Sequence, residues 1–115
     1  MAPKYRATAK LYIGTHDGDS ESSFGSGLIS LLRGVGETGS LNRAAKDMHM
    51  AYSKAWKLMN SAEEQLGIQL IERDGARGST LTPEAMQLVT VFDKVCAELN
   101  DFADERFKKE FAKLS

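Results

Sequence analysis

The sequence has one cysteine, Cys96, among 115 residues. That excludes an internal disulfide and any multi-cysteine metal site, and it suits a reducing cytoplasm. No run of about 18 apolar residues occurs, so no membrane span is expected. The basic N-terminus, Met1 to Lys10, is not followed by the apolar segment of a signal peptide. Only two histidines are present, His16 and His49, and neither has a second ligand at metal-binding spacing. No Gly-x-Ser-x-Gly turn, phosphate-binding Walker loop or paired-carboxylate motif occurs, so neither an enzyme nor a cofactor is expected. An excess of one charge is missing too. The net charge is −1, and residues 40–82 hold six basic against five acidic residues. Composition alone therefore does not suggest a nucleic-acid partner. Phosphate attraction, however, scales with the cations placed against the backbone, not with net charge.

What is there reads as one domain with a real core. Residues 4–13 alternate. Tyr5, Ala7, Ala9, Leu11 and Ile13 share one face, which predicts a strand half covered by the body of the domain. Turn residues follow, and Phe24 is expected to return as a short second strand, making residues 1–25 a β-hairpin. Asp17, Asp19 and Glu21 superficially resemble a calcium loop, but the bidentate Glu at its twelfth position is missing. Ser26 is then a candidate cap for a helix over 26–38. Leu28, Leu31, Leu32 and Val35 form its apolar stripe, Gly34 and Gly36 weaken it, and Gly39 stops it.

The stretch from Gly39 to Thr82 organises the chain. Ser40 caps a short helix whose apolar stripe is Leu41, Ala44, Ala45 and Met48, with Asn42, Arg43, Lys46 and Asp47 facing outward. His49 lies in the turn, placed to touch DNA or to cap a helix end. A second helix runs from about Tyr52 to Leu66, burying Ala55, Met59, Ala62 and Leu66. Its other face shows Tyr52, Ser53, Lys54, Lys57, Asn60 and Ser61. Short polar and basic side chains on the first turns of a helix are what major-groove insertion requires. Trp56 lies on or beside that face. Either it packs against the preceding helix or the following ribbon, or it touches a base or sugar. Ile68 to Arg73 and Thr80 to Thr82 read as two short strands. The loop between them carries Arg77 and suits a wing over phosphates, or else a plain solvated hairpin.

Thr82 and Pro83 open a last helix as cap and first residue. Its apolar stripe is long and wide, and its far part has little of its own chain to cover it. Leu88, Phe92, Val95, Leu99, Phe102, Phe107 and Phe111 are expected to form a homodimer interface. Cys96 reads as a small buried apolar residue. The expected organisation is mainly α (α+β), a single winged helix-turn-helix domain. Its parts are an N-terminal β-hairpin (1–25), a winged core (26–82) and a long C-terminal dimerisation helix (83–115).

These motifs in combination resemble the DNA-binding domain shared by LysR-type regulators and molybdate-responsive ModE-type repressors. The residues carrying the resemblance are Gly39-Ser-Leu with Ala44-Ala45-Lys, Met50-Ala-Tyr-Ser-Lys-Ala-Trp, Glu63-Glu-Gln-Leu-Gly, Leu70-Ile-Glu-Arg and Leu81-Thr-Pro-Glu. The Tyr-x-x-Ala-Trp piece, the N-terminal strand and the long final helix are closer to ModE. The resemblance implies a winged-helix homodimer reading a pseudo-palindromic operator in double-stranded DNA. Ser53, Lys54 and Lys57 would contact bases and phosphates, Tyr52, Trp56 and Asn60 would contribute, and Ser40, Arg43, Arg73 and Arg77 would hold the backbone. Three positions depart from the pattern. Ala51 stands where a serine cap is usual, the wing is short, and Ala85 replaces a glycine. The sequence runs no further than the dimer helix, so neither an effector domain nor a molybdate site is expected. The reading of a different kind is a winged-helix protein-interaction module that does not bind DNA.

Overall fold

The computed structural model describes residues 4–14, 23–73, 75 and 78–114. The expected hairpin tip, with His16 and the acidic Asp17, Asp19 and Glu21, lies outside the described residues, as does Arg77. The element order is α1 (Ser26–Thr38), α2 (Leu41–Asp47), α3 (Tyr52–Leu66), β1 (Ile71–Arg73), β2 (Ser79–Leu81) and α4 (Pro83–Ala112). The two strands pair antiparallel, with Ile71 opposite Leu81, Glu72 opposite Thr80 and Arg73 opposite Ser79. β1 begins at Ile71, three residues after the expected Ile68, since the Leu70 and Ile71 amides donate to Glu63 and not to a neighbouring strand, and β2 begins one residue early at Ser79.

The core forms where three helices and the ribbon meet. Leu28, Leu31, Leu32 and Val35 of α1 pack with Leu41, Ala44 and Ala45 of α2 and with Ala55, Met59 and Ala62 of α3. Leu70, Ile71, Ala85 and Phe92 close it from the ribbon and α4. Leu58, Leu66 and Cys96 are half-buried at its edge. The small residues have a geometric purpose: a methyl group on Gly34 would come within 2.7 Å of Ala44 Cβ. Gly34 costs α1 helical propensity and gains the close approach of α2.

Side-chain caps open two of the four helices. Ser40 Oγ accepts the Arg43 N–H at 3.0 Å to open α2, and Thr82 Oγ1 accepts the Ala85 N–H at 3.1 Å to open α4. Ser26 does not cap α1; it is the first helical residue, and Gly25 occupies the cap with no side-chain bond. The N-terminal segment explains this. It passes so close that a Cβ on Gly25 would lie 3.0 Å from the Leu11 carbonyl oxygen and from the Tyr12 ring.

That segment corrects a second expectation. Its period-two burial is present, with Ala7, Ala9, Leu11 and Ile13 half-buried and their neighbours exposed. Its β pairing is a single antiparallel bridge between Ile13 and Phe24. Residues 5–9 instead lie along α4. The Ala7 N–H donates to Asp104 Oδ1 and the Ala9 N–H donates to Asn100 Oδ1, each at 2.9 Å. A helix repeats its face every 3.6 residues and an extended chain every two. Asn100 and Asp104 therefore serve alternate amides of an extended segment. Arg6 pairs with Asp101 and Asp104, and Tyr5 meets Phe107 and Phe111 edge to face.

Asp104 is the centre of this strap. It is buried, and it accepts hydrogen bonds from Lys108, Ala7 and Arg6. The Lys108 hydrogen bond, then the Ala7 N–H, hold its carboxyl below the usual aspartate range. A depressed folded-state value contributes stability above about pH 4, lost as pH falls through the depressed value. Asp104→Asn keeps an acceptor for Ala7 but loses the charge. It is expected to lower the thermal midpoint at neutral pH, with the gap to wild type closing below about pH 4. Parallel pH profiles for the two proteins would remove Asp104 from this role.

Candidate nucleic-acid interface

Helices α2 and α3 are joined by a short turn closed by His49, whose backbone is left-handed (φ 55°) and whose N–H donates to the Lys46 carbonyl at 2.9 Å. Helix α3 presents Tyr52, Ser53, Lys54, Lys57 and Asn60 on its exposed side, while Ala55, Met59 and Ala62 face the core. Its N-terminal end has no side-chain cap, because the cap position is Ala51. The first amides of α3 are therefore left without a side-chain acceptor beside two lysines, an arrangement that favours an anion. Ala51 is exposed and extended, so serine fits there. Ala51→Ser is expected to stabilise the protein by about 0.5–1 kcal/mol in urea unfolding; an unchanged midpoint would mean that solvent already satisfies those amides.

The charge balance resolves at the level of pairs. On α1, α4 and the strap, Arg33 pairs with Asp93, Arg6 with Asp101 and Asp104, Arg106 and Lys113 with Glu110, Lys108 with Asp104 and Lys109 with Glu105. Among the described residues, Lys54, Lys57 and Arg73 have no carboxylate within ion-pair distance. Lys4, Lys10, Lys46 and Lys94 are likewise without a carboxylate among the described residues, so Lys54, Lys57 and Arg73 are distinguished by standing together where α3 meets the wing. Arg43 is exposed on α2 and pairs with Asp47 at 3.4 Å, an exchangeable surface contact. Ser40 uses its hydroxyl oxygen as the α2 cap, and its O–H proton is what it can offer a phosphate oxygen.

The wing is tied to α3 from both ends of β1. Glu63 of α3 accepts the Leu70 N–H at 2.7 Å and the Ile71 N–H at 3.4 Å. At the far end Arg73 lies over Trp56, its Cζ 3.7 Å from the ring centroid, and its Nη2 donates to Tyr52 Oη at 3.5 Å. Tyr52 and Trp56 meet edge to face at 6.2 Å. Trp56 is half-buried and packs against the core and the wing residue Arg73, the first of the two alternatives open in the sequence. The sequence marks Glu63 only as part of a motif and not as the tie between helix and wing; an acid facing a strand start seven residues on carries no recognisable signal of that role.

The expected dimer residues separate into three groups. Phe92 is 5% exposed and belongs to the protomer's own core. Phe107 and Phe111 are half-exposed under Tyr5, on the face that holds the strap. Phe107 stands five positions beyond Phe102, about 140° round the helix. Uncovered apolar surface runs along the remaining side, through Val91, Val95 and Phe102, with Leu88 and Leu99 half-buried beside them. With Glu84 and Arg106 at its ends, this row reads 84, 88, 91, 95, 99, 102, 106, a spacing that is the same in both directions from Val95. No helix among the described residues is long and apolar enough to cross a membrane.

Comparison with known proteins bears on this surface. The sequence profile of the bacterial regulatory helix-turn-helix protein, lysR family, matches residues 27–86, just over half of the chain. The molybdenum transport protein ModE of Herbaspirillum seropedicae is 39% identical over 68 residues, 56% of this chain and 25% of that protein. The HTH-type transcriptional regulator DgcR of Pseudoalteromonas sp is 32% identical over 91 residues, 76% of this chain and 31% of that protein. The chain thus spans about a quarter to a third of these relatives' length. Among solved structures, the BenM DNA-binding domain in complex with benA site 1 DNA superposes with a TM-score of 0.53 and 25% identity. That match covers 74% of this chain and 92% of that one. The CbnR DNA-binding domain in complex with DNA matches with a TM-score of 0.55 and 23% identity, covering 76% and 95%, and speaks for the winged-helix fold.

Proposed function

The chain belongs to the lysR family of bacterial regulatory helix-turn-helix proteins, and from that premise we propose that it is a sequence-specific, double-stranded DNA-binding transcriptional regulator. It acts in the cytoplasm by binding, not by catalysis. The observation that carries the reading is the exposed face of α3, where Lys54 and Lys57, with no carboxylate partner among the described residues, stand beside polar Tyr52, Ser53 and Asn60. The solved DNA complexes of related domains support it. Helix α3 enters the major groove. Ser53, Lys54 and Lys57 read bases and hold phosphates, and Arg43 and the wing hold the backbone.

It binds as a homodimer. The row centred on Val95 supports this, because a two-fold interface must be complementary to itself. Laid antiparallel, the row pairs Val95 with Val95, Leu88 with Phe102, and Glu84 with the Arg106 of a second copy. Laid parallel, it would set Glu84 against Glu84 and Arg106 against Arg106.

Selection of binding sites from a random-sequence duplex pool tests the proposal. Enrichment of a two-fold symmetric motif is expected. No enrichment and no salt-sensitive binding would overturn it in favour of a protein-interaction module. On the enriched motif, Lys57→Ala is expected to weaken binding more than about twofold, with a shallower salt dependence. Unchanged affinity would take Lys57 out of the interface.

A further inference from the structure

Trp56 sits in the middle of the proposed DNA-reading helix, yet its ring face is occupied. Arg73 covers it at 3.7 Å, and the edge of Tyr52 meets it at 6.2 Å. A base or sugar seeking that face would have to displace a guanidinium. The guanidinium itself is open. Arg73 is exposed, no carboxylate among the described residues pairs with it, and one of its five N–H donors has a partner, the Tyr52 hydroxyl. An arginine stacked on an aromatic ring keeps its edge donors in a fixed plane and loses less freedom when an anion arrives. Glu63 fixes the start of the same strand, so Arg73 stands on a short, anchored element where helix and wing meet.

We infer that Trp56 is a positioning residue for DNA binding: it touches no nucleotide and acts by holding the Arg73 guanidinium, edge outward, as a preset seat for one backbone phosphate at the junction of α3 and the wing. This rests on the DNA-binding reading above and assigns to Trp56 a part in it. Tyr52 completes the seat by orienting one arm of the guanidinium. The stack also makes the wing's approach to DNA depend on a side chain of the reading helix, so helix and wing engage as one rigid unit.

The test is a cycle of Arg73→Gln, Trp56→Leu and the double variant, with Trp56→Phe as the conservative change. Affinity for a mixed-sequence DNA duplex is measured across about 50 to 200 mM salt. Arg73→Gln is expected to lower the slope of log affinity against log salt by about 0.9, the share of one phosphate. Trp56→Leu is expected to lower it by the same amount, and the double variant by no more than either alone. Trp56→Phe is expected to retain the wild-type slope. The protein has one tryptophan, so Arg73→Gln should also change its emission in the absence of DNA, a readout that needs no ligand. Arg73 is a surface residue, so this variant keeps its fold even if Trp56→Leu does not. A steep wild-type slope with additive losses, or a loss at Trp56→Leu that is equal at all salts, overturns the inference and leaves the DNA-binding reading standing. A wild-type protein without salt-dependent binding overturns both.

Discussion

Replacing Gly78 by alanine is expected to destabilise the protein by about 2–4 kcal/mol, a large part of a small domain's total. Two effects act at one atom. Gly78 has φ 96°, a conformation that an L side chain rarely adopts, and a Cβ built there would lie 2.3 Å from the Gly39 carbonyl oxygen. That oxygen is not free to move. It accepts the Ser79 N–H at 2.8 Å, the bond that joins the returning wing strand to the end of α1. Gly39 is itself left-handed, at φ 73°, with its N–H on the Val35 carbonyl. Relief of the clash must therefore either pull the wing from the helix or unwind the last turn of α1. Urea unfolding measures the loss. A shift under about 0.5 kcal/mol would mean that the wing joins the core differently.

Val95→Glu is expected to convert a dimer into a monomer of 12.6 kDa in sedimentation. Val95 lies at the centre of the row that reads alike in both directions, so one substitution sets two carboxylates face to face across the two-fold axis. The side chain is 40% exposed in the protomer, so the core around α1, α2 and α3 should unfold as before. Affinity for a symmetric site should fall about 100-fold or more, because the second half-site contact is no longer intramolecular. Orientation has its own check. Glu84→Arg should weaken the dimer, and adding Arg106→Glu should restore it, since the antiparallel pairing exchanges both partners together. A double variant no better than the single would rule out the antiparallel arrangement. A Val95→Glu protein that stays dimeric would move the interface off α4.

The helix-turn-helix was legible because its signals are local. Ser40, Gly67, Thr82 and Pro83 mark ends, and the apolar spacing of Leu41 to Met48 and Ala55 to Ala62 marks the inner faces. Where a partner lies far off in sequence, legibility fails. The alternation of residues 5–13 says that one side is covered, but nothing in it says that the cover is Asn100 and Asp104 on a helix. An aspartate among Ala103 and Phe107 was the available hint, since a buried acid needs partners. The seven apolar residues expected to form one interface of α4 do not share one environment in the protomer. A stripe followed over about 24 residues wraps round a helix, and the break between Phe102 and Phe107 divides it between the open row and the strap. The exposed polar residues of α3 were legible from periodicity. Trp56 stayed open because its spacing allowed both faces, and only the position of Arg73, 17 residues on, decided its environment.

The strap sets an order of assembly. The bond from Ala7 to Asp104 joins residues 97 positions apart, and that from Ala9 to Asn100 joins residues 91 apart. Contacts between α1, α2 and α3 close far shorter loops and so can form early. During synthesis Ala7 and Ala9 leave the ribosome well before Asp104 and Asn100, and their amides wait for those partners. The strap is then the last piece to dock and the first to open. Amide exchange should show Ala7 and Ala9 trading their protons well before those of Leu31 or Met59. Residues 7 and 9 are made before most of the domain and paired after it.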